Sequence, residues 1–198
     1  MPMKVFRLLK KAVVLSLIRL GWFIKPGLVT RLYAWFLRSE GAQIEERPNY
    51  LSAKIWFDGT DYSLIRLGKG CTISSNVRIL THDWAIHTVA KELGLKFDRP
   101  QGRIKPISIG RHAFIGTGSI IMPGADIGAG CIVGAGAVVR GAIPPLSIVV
   151  GNPGQVVGSV AEYVERATRG AGVGPAEQAA LKQAALAHAA ALAGARAG

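Results

Sequence analysis

The chain is poor in the residues that staple a fold. It has only Cys71 and Cys131 among 198 residues, too few for a disulfide framework. Both stand at the fifth position of a six-residue repeat described below, where small residues recur, so we expect buried thiols and a reducing, cytoplasmic compartment. Acidic residues are also scarce, 12 against 24 Lys and Arg, for a net charge of +12. Half of that excess lies in residues 1–47, where nine cations face three Glu. Such a balance points to anionic partners: nucleic acid, acidic lipid headgroups or a phosphorylated substrate. Zinc-finger spacing and an aromatic RNA-binding signature are both missing, so nucleic acid is not expected. Long apolar runs are absent near the N-terminus as well. The basic stretch Met1–Lys11 followed by apolar Ala12–Ile24 imitates a signal peptide. Arg19 interrupts it, no small-residue cleavage site follows, and it falls short of the ~20 apolar residues of a membrane span.

What residues 1–43 do contain is helical periodicity. Phe6, Leu9, Val13, Leu17 and Leu20 share one face, with Lys4, Arg7 and Lys11 on another, the pattern of a basic amphipathic helix. A helix of this kind lies in an anionic membrane interface or packs on its own domain or a neighbouring subunit. The aromatic-rich continuation through Trp22, Phe23, Tyr33, Trp35 and Phe36 favours the membrane.

The middle of the chain keeps a strict beat of six. Ile109, Ile115, Ile121, Ile127, Val133 and Val139 follow one another without a slip. Gly follows at 110, 116, 128 and 134, and four residues after the anchors come Ala113, Ser119, Ala125, Cys131, Ala137 and Ile143. Upstream, Ile55, Asp61, Leu67, Ile73 and Ile79 extend the frame, with Asp61 its weak member. Six is neither the helical period nor simple alternation. It suits a short strand and a sharp corner, with small residues filling the turn. Coils stacked in this way bury their anchors in columns, giving an all-β solenoid over residues 44–160.

The stretches Ile109-Gly-Arg-His-Ala-Phe-Ile-Gly-Thr-Gly-Ser, Ile127-Gly-Ala-Gly-Cys-Ile-Val-Gly-Ala-Gly-Ala-Val-Val and Gly151-Asn-Pro-Gly-Gln-Val-Val resemble the hexapeptide-repeat acyltransferases. These left-handed parallel β-helix enzymes include galactoside, xenobiotic and capsule O-acetyltransferases. The resemblance implies a homotrimer in which acetyl-CoA, the donor substrate, and a saccharide acceptor meet between adjacent subunits. The acceptor class ranges over sugars, sugar nucleotides and lipid-linked sugars. The implied setting is cell-envelope or exopolysaccharide synthesis at the inner face of the membrane.

Between Ile79 and Ile109 the beat is broken by an extended loop at residues 82–106, rich in Lys and Arg. Excursions of that length from a compact repeat are commonly functional. Acyl transfer to a hydroxyl needs a base to take the proton during attack, and an imidazole suits that task. It also needs proximity and a donor for the oxyanion. The resemblance places the catalytic base at His82, at the mouth of the loop. Asn76, Asp83, Trp84 and His87 are the acceptor-binding candidates. Asn76 is equally explained as a corner residue that tolerates left-handed angles. Asp83 is poorly placed to orient His82, because neighbours on an extended chain point opposite ways. His112 reads as a turn residue and His188 as a tail residue.

For the donor, the resemblance implies contacts at Thr117, Ala135 and Arg140. The two basic residues that often follow the Gly-Asn-Pro turn are replaced by Gln155 and Gly158. The phosphates then fall to Arg140, Arg166 or Arg169, or coenzyme A binds more weakly. No metal is expected: His82 and His87 are five apart, but His112 has the wrong spacing and order for a trimer-interface zinc site. Two other readings stay open, an N-acetyltransferase acting on an amino sugar and a non-catalytic β-helix scaffold at the membrane. Residues 161–198 read as a tail, with Gly170–Gly174 a break and an Ala-rich helix or disordered segment from Pro175.

Overall fold

A computed structural model describes residues 2–21, 25–58, 61–168 and 174–194. Helices α1 (Pro2–Gly21) and α2 (Pro26–Ser39) come first, and short strands follow from Gln43 onward. The strands form three parallel faces visited in turn. The first holds Gln43–Ile44, Ile65–Leu67, Ile107–Ile109, Asp126–Ile127 and Ala142–Ile143. The second holds Tyr50–Leu51, Thr72–Ile73, Phe114–Ile115, Ile132–Val133 and Ser147–Val150. The third holds Trp56–Phe57, Arg78–Ile79, Ile120–Ile121 and Val138–Val139. This coil of parallel faces fits the left-handed β-helix expected from the repeat.

Why six residues close one corner and one strand is visible in the packing. One aliphatic of each coil strand points inward in a fixed register, and Leu51, Ile73, Ile115, Val133 and Val149 stack down one face, all buried. Fully burying an aliphatic side chain contributes about 1.5–3 kcal/mol, so each coil adds its share to the core. Cys71 and Cys131 are buried thiols at the corner position, and burial pushes the Cys71 thiol up to about 12. Glycine is required where coils touch backbone to backbone: a Cβ on Gly116 would lie 2.6 Å from the Ala135 nitrogen.

The structure corrects the frame upstream of the loop. The inward residue of the strand Trp56–Phe57 is Phe57, while Ile55 takes the small corner position held by Val77, Ser119 and Ala137 in later coils. Asp61 is no anchor. It is exposed and accepts from the Ser63 N–H (2.9 Å) and hydroxyl (2.6 Å) to start a 3-10 turn at Tyr62–Leu64. That turn inserts residues between Phe57 and Leu67, the next residue aligned with the later anchors, and so shifts the beat.

The N-terminal helices close one end of the coil. Tyr33 stands edge-on to Phe57 at 5.9 Å and Phe36 edge-on to Tyr62 at 6.1 Å. The Tyr33 hydroxyl donates to the Ile55 carbonyl at 3.2 Å. Lys11 pairs with the buried Glu40 carboxylate at 3.2 Å. Tyr33 and Phe36 therefore face the domain's own core, a correction to their assignment as membrane-facing aromatics, whereas Trp35 is exposed. Trp22 and Phe23 lie outside the described residues. On α1 the packed face is Val14 and Ile18, and the expected apolar stripe of Leu9, Val13, Leu17 and Leu20 is exposed. The side chain of Phe6 lies outside the described set. No helix among the described residues is long and apolar enough to cross a membrane.

At the other end, Gln155–Ser159 folds back antiparallel on Ser147–Val150. The loop contributes α3 (Ala85–Glu92), and the chain ends in α4 (Val160–Thr168) and α5 (Pro175–Gly194). A capping box starts α4: the Ser159 N–H donates to Glu162 Oε2 at 3.0 Å, and the Glu162 N–H donates to Ser159 Oγ at 3.3 Å. The hydrogen bond from the Ser159 N–H holds the Glu162 carboxyl below its usual range. Lys182 on α5 pairs with Glu165 on α4 at 2.7 Å. The expected break at Gly170–Gly174 lies outside the described residues except for Gly174.

Candidate active site

The corner where the third face turns toward the first is where the repeat breaks, and His82 stands there. The loop that leaves this corner is folded from its base. His82–Asp83 pairs antiparallel with Arg103–Ile104, and the Lys105 N–H donates to the Thr81 carbonyl at 2.9 Å. This two-strand base fixes the direction in which His82 leaves the rigid coil.

A carboxylate that the repeat did not reveal completes the corner. Asp58 lies one coil earlier, with its side chain 3% exposed. It accepts from the Thr81 hydroxyl at 2.8 Å, from the His82 N–H at 3.2 Å and from the Thr81 N–H. Its Oδ2 is 2.9 Å from His82 Nδ1, and the His82 side chain is 27% exposed. The separation is that of an ion pair, but the oxygen lies off the ring N–H direction and Nδ1 completes no straight hydrogen bond. The contact becomes an ion pair when the imidazole takes up a proton. With Nδ1 turned toward Asp58, Nε2 is the nitrogen left to exchange a proton with a ligand. Sequence reading missed Asp58 because it lies outside the hexad frame; its only sequence signal is its position just after a coil strand, one turn before His82.

Trp84 follows, its ring 5.9 Å from the His82 ring and tilted by 49°. It is partly exposed and lies over Gly102, where a Cβ would come within 2.3 Å of the indole. Asp83 turns away from His82 and accepts from the Ala85 N–H at 2.9 Å, which starts α3. His87 sits on α3, 6.1 Å from the Phe97 ring, and its Nδ1 accepts from the Gln101 N–H at 3.4 Å. His82, Asp83, Trp84 and His87 are thus gathered on one side of the coil.

The remaining candidates fall elsewhere. Asn76 occupies the corner between the second and third faces with φ 59°, at the start of the strand that ends beside His82. Thr117 and Ala135 stack at that same corner on the following coils, linked by the Gly136 N–H donating to the Thr117 carbonyl at 2.9 Å. Arg140 is exposed at the far end of the strand Val138–Val139, away from them. His112 marks the corner between the first and second faces, φ 55°, so the three histidines do not converge. Among the described residues no cluster of His, Cys, Asp or Glu is placed to hold a metal ion. Beside Gly158 stands an acid rather than a base, with Glu162 Oε2 3.0 Å from where a Cβ would be. Arg169 lies outside the described residues.

Comparison with known proteins agrees with the coil. Residues 106–141 match the bacterial transferase hexapeptide family (six repeats). Protein CapG of Staphylococcus aureus is 38% identical over 128 residues, spanning 64% of this chain and 71% of that protein. Nodulation protein L of Rhizobium leguminosarum bv. viciae is 44% identical over 96 residues, 48% of this chain and about half (47%) of that protein. The structure of a galactoside acetyltransferase in complex with coenzyme A superposes with a TM-score of 0.53 at 20% identity, covering 77% of this chain and 80% of that one, a likeness of fold. The hexad columns, the family match and the extent of the likeness to CapG lead to one conclusion: the chain belongs to the bacterial transferase hexapeptide family.

Proposed function

We propose that the protein transfers an acetyl group from acetyl-CoA to a hydroxyl of a saccharide, with His82 as general base. The observation that carries this reading is the Asp58–His82 pair, mounted on a rigid coil at the mouth of the loop. As the acceptor oxygen attacks the thioester carbonyl, His82 takes its proton. The tetrahedral adduct then expels the thiolate of coenzyme A, which recovers the proton from His82. The Asp58 carboxylate balances the imidazolium formed between the two steps. Relatives support the substrate classes: the galactoside acetyltransferase that shares the fold is bound to coenzyme A.

The reading includes a homotrimer. His82 and its neighbours stand at one end of the third face, and Asn76, with Thr117 and Ala135 on the following coils, at the other; the six residues from Asn76 to His82 span at most about 20 Å. Adjacent subunits would bring the His82 corner of one coil to the Thr117–Ala135 edge of the next. The loop also exposes Ile86, Val89, Leu93, Leu95, Phe97 and Ile104, an apolar surface suited to cover by a neighbour. At the helix-capped end of the coil, the exposed stripe of α1 within a strongly basic segment suits peripheral attachment to an anionic membrane on the cytoplasmic side.

The test is acetyl-CoA turnover against nucleotide sugars, lipid-linked sugars and oligosaccharides. His82→Ala is expected to lower kcat by about 10²- to 10⁴-fold while coenzyme A still binds. Near-normal turnover by that variant overturns the assignment.

A further inference from the structure

The outer surface of the third face carries a feature that the base chemistry does not use. Register pairs Trp56 with Arg78 and Arg78 with Ile120, so these side chains stand in one row facing outward. Lys54 and Asn76 flank the row at the preceding corner. Together with Gly118 these residues line a cleft of about 600 Å³. No acid lines it, and neither Lys54 nor Arg78 has a carboxylate partner among the described residues, unlike Lys69, which is paired with Glu46 at 2.8 Å. Trp56 is 53% exposed on the outward side of its strand. The row leads into the site: Trp56 is two residues before Asp58, and Arg78 four before His82, at most about 13 Å of extended chain.

We propose that this cleft binds a phosphate-bearing group of the acceptor, with Lys54 and Arg78 on the phosphate and Trp56 stacked against an attached ring. Two unpaired cations in one cleft select an anion, and the Arg fork matches phosphate oxygens two at a time. An exposed indole between them offers a flat apolar surface to a base or sugar ring. A neutral saccharide would use the indole but leave both charges idle. The acceptor class is therefore a sugar phosphate or sugar diphosphate, its hydroxyl reaching His82. The inference rests on the acetyl-transfer reading in calling the ligand the acceptor, because the phosphates of coenzyme A share the same chemistry.

Calorimetry with inorganic pyrophosphate, with and without saturating coenzyme A, separates the sources. Pyrophosphate is expected to bind in both conditions, and the Lys54→Ala/Arg78→Ala double variant to weaken it at least 10-fold with coenzyme A affinity unchanged. Lys54→Arg should retain binding. Uridine diphosphate should bind more tightly than pyrophosphate, and Trp56→Leu should erase that difference. Absence of pyrophosphate binding overturns the proposal. So does its displacement by coenzyme A, which would give the cations to the donor. An equal loss in Arg47→Ala/Arg111→Ala, at a different corner, also overturns it by showing a general charge effect. The acetyl-transfer reading fails on other grounds, by a lack of coenzyme A binding or by an active His82→Ala enzyme.

Discussion

Asp58 and His82, 24 residues apart in sequence, meet at 2.9 Å because the coil stacks one turn directly on the next. The carboxylate also grips the backbone and hydroxyl of Thr81, so one residue both holds the corner and faces the imidazole. Its two roles separate by substitution. Asp58→Asn keeps an acceptor oxygen for Thr81 but removes the charge. Losing a charge that faces the imidazolium at this distance costs the transition state on the order of 1.5–3 kcal/mol, or roughly 10- to 100-fold in rate. Steady-state kinetics should show kcat reduced by that factor with the KM for acetyl-CoA unchanged. Asp58→Ala should in addition lower the melting temperature, because it leaves the Thr81 groups without their acceptor.

Trp84 keeps its place because residue 102 has no side chain. Gly102→Ala puts a methyl group where the indole lies, so the ring must shift from its place beside His82. The KM for acceptor is expected to rise several-fold with little change in the KM for acetyl-CoA. Trp84→Ala should do the same, and the double variant should be no worse than either single one, since both act through one ring. Additive losses would show that Gly102 matters for another reason.

Alkaline pH should unfold the protein through its core. The Cys71 thiol, ordinarily near 9, is pushed up to about 12 by burial, and burial raises the Tyr33 hydroxyl as well. Both groups are neutral in the folded and unfolded chains below pH 9. Above it the unfolded thiol ionises while the folded one does not, so stability is full below about 9 and declines as pH rises through about 12. Melting temperatures measured from pH 7 to 11 should hold and then fall, and Cys71→Ala should flatten the decline. In the native protein at pH 8, iodoacetamide should leave Cys71 unmodified.

Vesicle sedimentation tests the N-terminal helix. The wild-type protein should pellet with phosphatidylglycerol vesicles and not with phosphatidylcholine alone, and added salt should weaken the association. Val13→Glu/Leu17→Glu should abolish it at an unchanged melting temperature, because both side chains are exposed. Retained binding by this variant would assign the exposed stripe to another partner.

Much of the fold was legible in the residues. A period of six with inward aliphatics and glycine at the corners admits few backbone paths, so the pattern alone places Ile109 to Val139 on the coil. The break after Thr81 likewise marked His82, because a regular pattern makes its interruption visible. Frame alone failed where the coil length changed: the 3-10 turn after Asp61 displaced Ile55 from the strand and put Phe57 inside.

What the sequence by itself determined was therefore the repeating coil and the residue at its break, since both are local patterns enforced by sterics and burial. Tertiary structure decided the rest. Asp58 reaches His82, Trp56 aligns with Arg78, and Tyr33 and Phe36 turn into the coil's end, because stacking joins residues a full turn or more apart. No short-range pattern encodes such contacts; the register between coils creates them.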